Sequence, residues 1–129
     1  MGTGRESDSE LSEAMKRIRV NSRKKFEVLI NTCGAQAAQM SLRPGDTSDS
    51  YPGNEHRHSE QWLFVISGSG TVRIGKRRQS LRTVKIRTHT LLVIEKGELH
   101  QIKNSGRKVL TSINIYVPPA YDPDSAPKR

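Results

Sequence analysis

The chain holds four histidines, and three of them, His56, His58 and His100, fall beside apolar runs in two separate places. His56 and His58 stand two apart, so on a strand their side chains share a face. Two neutral imidazoles on one concave face can reach a single divalent ion at roughly 2.0–2.2 Å. The stretch "NEHRHSEQWLFVISGSG", Asn54 to Gly70, therefore reads either as the opening of a metal pocket or as a polar loop ahead of a buried strand. The second place is "EKGELHQIKN", Glu95 to Asn104, where Gly97 suits a turn, His100 starts a strand and Asn104 ends it. His89, between two threonines, has no partner at ligand spacing and reads as a surface or core residue.

Other chemistries find less support. "SGSG" at 67–70 matches neither the glycine pattern of a phosphate loop nor a nucleophile elbow, and no helix follows it, so it reads as a hairpin turn. Between Arg73 and Arg87 lie Arg73, Lys76, Arg77, Arg78, Arg82, Lys85 and Arg87 with no acidic residue. That run could be a nucleic-acid or phosphate footprint. It contains no aromatic residue on which bases could stack, and a solvated hairpin that discourages edge-to-edge pairing accounts for it more simply. Nucleic acid is therefore not the expected partner. Cys33 is the one cysteine, so no internal disulfide can form, and it sits beside Gly34 in a turn, away from the histidines.

The elements that must hold the histidines are short. "KFEVLIN", "AQAAQMSL", "QWLFVIS", "TVRIG", "LRTVKIR", "TLLVIE", "HQIK" and "VLTSINIYV" have strand character and are separated by Gly, Pro, Asn or Asp, the pattern of an all-β sandwich or barrel. Within "WLFVI", Trp62, Phe64 and Ile66 share one face and Leu63 and Val65 the other. Both faces are apolar, as expected of a strand between two sheets. Leu63 and Val65 share their face with Gln61 and are candidates to line a pocket. The chain of 129 residues suits one domain, divided into an arm, 1–25, a barrel, 26–117, and a Pro-rich tail, 118–129. In the arm, Leu11, Met15 and Ile18 permit a short amphipathic helix, though a disordered segment fits equally. Lys plus Arg number 22 against 13 Asp plus Glu, a net charge of +9 that favours anionic partners. The single cysteine, the lack of a membrane-length apolar run and the absence of a signal-peptide layout lead to a cytoplasmic expectation.

Gly97, His100 and Asn104 match the second motif of the cupin family, P-x-G-x-x-H-x-x-x-N, with Glu95 in the proline position. The first motif resembles H-x-H, three or four residues, Glu, six residues and Gly. Gln61, six residues ahead of Gly68, fits its latter half with glutamine for glutamate. "LRPG" at 42–45 and "INIYVPPAY" at 113–121 extend the resemblance over residues 26–121. It implies a single antiparallel jelly-roll β-barrel with a divalent metal inside, held by His56, His58, Gln61 and His100. The spacing departs from the family's, because two residues separate His58 from Gln61. An alternative register places Asn54 and His56 ahead of Gln61 and leaves His58 outside. Uniting His56 with Gln61 needs a break in the strand near Ser59 and Glu60, whereas an unbroken strand would make Glu60 the oxygen ligand beside His58. Neutral imidazoles with an amide oxygen suit Zn, Mn, Fe, Ni or Cu.

The ligand expected with such a site is a small polar or acidic molecule, a sugar or a carboxylate. Sugar isomerisation or epimerisation and dioxygenase chemistry are both open, as is a non-catalytic, metal-free barrel that binds a small ligand. Members of the family often dimerise through sheet contacts, so a homodimer is an expected option.

Overall fold

A computed structural model of the chain describes residues 15–21, 23–50, 52–54 and 56–122. Eight strands follow one another: β1 (Phe26–Asn31), β2 (Gln36–Leu42), β3 (Glu60–Ser67), β4 (Ser69–Gly75), β5 (Arg82–Arg87), β6 (Leu91–Ile94), β7 (Leu99–Lys103) and β8 (Leu110–Val117). All the expected strand segments form. The strands make two antiparallel sheets, one ordered β1-β2-β8-β3-β6 and the other β5-β4-β7, the two layers of a jelly-roll barrel. Of the arm expected to permit a helix, residues 1–14 lie outside the described residues, and residues 15–21 carry no regular structure.

Period-two alternation builds the interior. Leu63 and Val65 of β3, Val72 and Ile74 of β4, Ile86, Ile94, Ile102 and Leu110 meet in one buried cluster with Met40 and Leu42. The remaining end of the interior is polar, and Gln36, Gln61, Ser112 and Asn114 are buried there. Gln36 fixes the start of the tail, because its Nε2 donates to the Tyr121 carbonyl at 2.7 Å while its Oε1 accepts from the N–H groups of Ala120 and Tyr121 at 3.1 and 3.0 Å. Ala120 and Tyr121, beyond the expected end of the barrel, are thereby buried against Tyr116.

Two glycines close the sheets upon each other. A Cβ on Gly70 would stand 2.3 Å from the Lys103 carbonyl oxygen, and one on Gly68, at φ +96, would stand 2.6 Å from that of Val109. The expectation that β3 is covered on both sides is corrected by the structure. Trp62, Phe64 and Ile66 lie on the outer face of the five-stranded sheet, exposed by 42, 39 and 36%, because the second sheet covers the opposite face alone.

Candidate metal centre and ligand pocket

His56 sits not on a strand but in a turn, residues 56–58, that leads into β3. The Asn54 side-chain oxygen accepts from the His56 backbone N–H at 2.9 Å, and the Ser59 N–H donates to the His56 carbonyl at 2.9 Å. Ser59 Oγ then donates to the Pro118 carbonyl at 2.7 Å, which ties the turn to the tail. This is the break that lets His56 and Gln61 share one side. The same turn sends His58 outward, where it is exposed. His56 is thus buried on the same side as Gln61, and His58 is not.

His100 reaches the site from β7. A turn at Gly97, φ +82, precedes it, and its strand exchanges two backbone bonds with Gly53, His100 N–H to the Gly53 carbonyl at 2.9 Å and Gly53 N–H to the His100 carbonyl at 3.2 Å. The loop carrying His56 is thereby stitched to the strand carrying His100. His56 Nε2 and His100 Nε2 face each other at 3.2 Å in a buried setting. His100 Nδ1 lies 3.2 Å from the Glu98 carbonyl. A carbonyl oxygen only accepts, so that nitrogen carries the proton and the lone pair of His100 Nε2 points at His56.

Gln61 completes the group. Its Nε2 donates to Asn114 Oδ1 at 2.8 Å, which fixes the amide with its oxygen free, and that Oε1 is buried without a hydrogen-bond partner. Leaving such an acceptor unmet costs roughly 1–3 kcal/mol. Asn54 Nδ2 and His56 Nδ1 are also buried and unpartnered. Burial, and then the ring of His100, lowers the pKa of His56 from 6.5 to about 4, so this imidazole is a neutral donor across the physiological range.

These residues fit a transition-metal ion. Two ligands held ~2.1 Å from one tetrahedral ion stand ~3.4 Å apart, close to the Nε2–Nε2 distance of 3.2 Å. His100 has the carbonyl partner on its far nitrogen that metal-bound histidines use to orient the ring. Among the described residues no three His, Cys, Asp or Glu side chains converge; the group is two imidazoles and a neutral amide.

A cavity of about 370 Å³ opens beside it, lined by His56, Gln61, His100, Tyr116, Tyr121 and Phe26 among others, with Lys25 and Asp49 also on its wall. The Tyr116 and His56 rings meet edge to face at 4.9 Å, and the Tyr121 ring packs edge to face on Tyr116 and tilted on Phe26. None of the four expected pocket residues lines this cavity: Asn54 stays in the loop before His56, where its side-chain oxygen holds the His56 N–H. Leu63 and Val65 share the inward face with Gln61 but lie deeper, within the apolar cluster. Glu60 faces outward and accepts a hydrogen bond from the Trp62 indole N–H. Tyr116 was not anticipated, although the alternation of Leu110, Ser112, Asn114 and Tyr116 signals it, and in the register Tyr116 stands opposite Gln61. Tyr121 comes from the Pro-rich tail, where periodicity carries no signal, and Phe26 opens β1.

Asn104 is not at the site. It is fully buried, its Nδ2 donating to the carbonyls of Leu42 and Lys108 at 2.8 and 2.7 Å and its Oδ1 accepting from the Gly106 N–H at 2.9 Å. It closes the turn after β7. His89, at φ +72, is exposed and stacks on Phe64 at 6.2 Å.

Residues 38–116 match the family described as cupin domain. The chain belongs to the cupin family. A solved protein of Bacillus halodurans is 25% identical to it, with a TM-score of 0.72, over 83% of this chain and 77% of its own. An RmlC-like cupin family protein of Methanocaldococcus jannaschii, 17% identical, superposes at 0.62 over 79% and 87% of the two chains and has a double-stranded β-helix fold. A predicted oxalate decarboxylase of Thermotoga maritima, 18% identical, superposes at 0.54 over 67% and 69%. No curated protein matches the chain. Among the described residues, no helix is long and apolar enough to cross a membrane.

Proposed function

We propose that this cupin binds a divalent transition metal on His56, His100 and Gln61, and holds a small polar or acidic ligand in the adjoining cavity. The observation that supports it is the pair of buried imidazole nitrogens 3.2 Å apart beside an unpartnered amide oxygen. Three neutral donors leave coordination positions for water or a ligand oxygen, and an ion there supplies Lewis acidity. The protein's own groups would do the selecting. Lys25 at the wall favours an anionic group, Asp49 and Ser48 can accept from hydroxyls, and the rings of Tyr116, Tyr121 and Phe26 form an apolar side against which a carbon skeleton can lie. The name of the Thermotoga maritima relative makes oxalate a natural first carboxylate to try.

A second reading has its own support. Without an ion, His56 Nε2–H donates to His100 Nε2 and the same 3.2 Å is a hydrogen bond, so the barrel would bind its ligand through histidines and Gln61 alone.

Elemental analysis of untagged protein separates the two. The expected result is close to one Zn, Mn, Fe, Ni or Cu per chain, lost in His56→Ala and His100→Ala and kept in His58→Ala. Metal-free protein that takes up none of these ions yet is stabilised against heat by oxalate or a sugar acid would decide for the second reading.

A further inference from the structure

We infer that the outer face of the three-stranded sheet carries a second binding site, separate from the histidine cavity, which takes the phosphate group of a small phosphate monoester. Alternation sets the face. Val72 and Ile74 of β4 and Ile86 of β5 are buried in the core, so Ser69 and Thr71, with Lys85 and Arg87, project to the other side. The register pairs them, Ser69 opposite Arg87 and Thr71 opposite Lys85. Two turns add further hydroxyls, Thr90 after β5 and Ser105 after β7. These six residues line a cleft of about 450 Å³ over Gly70 and Ile86, a volume within the ~300–1,000 Å³ of small-molecule sites. None of its lining residues is shared with the cavity at His56 and His100.

The polar side chains of the cleft are all able to donate. Thr90 Oγ1 accepts from the Arg87 backbone N–H at 3.0 Å, which leaves its hydroxyl proton for a ligand. Arg87 offers a planar fork and Lys85 a compact ammonium, and among the described residues neither side chain has an ion pair. No carboxylate lines the cleft. The Ser105 wall is seated closely, because a Cβ on Gly106 would stand 2.5 Å from Ser69 Oγ. Two cations and four hydroxyls suit a phosphate monoester, with its charge of about −1.5 to −2 and three terminal acceptor oxygens. A carboxylate has fewer acceptors and would leave donors unmet. The strands β4, β5 and β7 hold no Phe, Tyr or Trp, so a nucleic acid would find cations there without a ring on which to stack its bases. The cleft ends at Thr90 on one side and Ser105 on the other, which fits one phosphate with a short organic group better than a polymer laid along the sheet.

Isothermal titration of the full chain with inorganic phosphate and with glycerol phosphate, at an ionic strength fixed by sodium chloride, should show one saturable site per chain for each. Lys85→Gln and Arg87→Gln should each weaken that binding by about tenfold or more, the loss of one charge-assisted hydrogen bond. Both positions are exposed, so the circular dichroism spectrum should not change. Arg82→Gln, on the same strand but outside the cleft, should bind as the original does. Absence of saturable binding would overturn the inference. So would phosphate binding that survives Lys85→Gln and Arg87→Gln but is lost in Lys25→Gln, since the anion would then sit in the histidine cavity. A single-stranded oligonucleotide that binds with a steep salt dependence while inorganic phosphate does not bind would equally overturn it, the occupant then being a polymer.

Discussion

Protonation of His56 is opposed by burial and by the ring of His100, and this has a measurable effect on the metal-free protein. The folded pKa is about 4 against 6.5 for the free side chain, so as the pH falls the unfolded chain takes up the proton first. The stability linked to His56 is whole above pH 6.5, declines between 6.5 and 4, and is gone below 4. The shift corresponds to about 3 kcal/mol. Urea unfolding of the original and of His56→Asn at pH 7 and pH 4.5 isolates it: the gap between them should narrow by most of that amount at the lower pH, and a constant gap would contradict the assignment. At the same scale, Gln61→Glu adds a negative charge to the ligand set and should tighten Zn binding by about tenfold or more, measured by competition with a chromogenic chelator. A weaker or unchanged affinity would place Gln61 outside the set. His100 and its motif were legible in the sequence because the turn glycine and the strand start are local features. The choice between His56 and His58 was not, since it depends on a turn held by the carbonyl of Pro118, 59 residues away.

Strands were the most legible elements, because alternation and turn residues are written locally in each of them. What alternation could not reveal is which apolar face is covered. In β3 both faces carry large apolar side chains, and only the assembly of the second sheet over Leu63 and Val65 decides that Trp62, Phe64 and Ile66 stay outside. Tyr121 was illegible for a related reason: a proline-rich tail has no period, and its burial comes from three hydrogen bonds to Gln36 made across the fold. The element connections are tested by two substitutions. Asn104→Ala removes three hydrogen bonds at a fully buried position and should cost about 3 kcal/mol or more in chemical denaturation, with metal content per folded chain unaffected. A large loss of bound metal in folded Asn104→Ala would show that the residue matters to the site directly. Gly70→Ala forces a methyl onto the Lys103 carbonyl and should destabilise by about 1–3 kcal/mol; an unchanged unfolding midpoint would mean that the β4–β7 contact is looser than the geometry indicates.

Across the whole molecule, the two sheets divide the labour by charge as well as by burial. Arg73, Lys85 and Lys103 lie close together on the three-stranded sheet, where Thr71 stands between Lys85 and Lys103 in the register. Their mutual repulsion is screened by salt over a Debye length of about 10 Å at 0.1 M. The melting temperature should therefore rise by a few degrees between low and moderate sodium chloride, and a flat profile would show that these cations do not strain the fold. The cations that the strands themselves carry all lie on one layer, which gives the two sheets of the sandwich unequal charge. An anionic boundary such as a sulfonate resin therefore attracts the strands of the three-stranded sheet and offers no such pull to those of the sheet that bears Trp62.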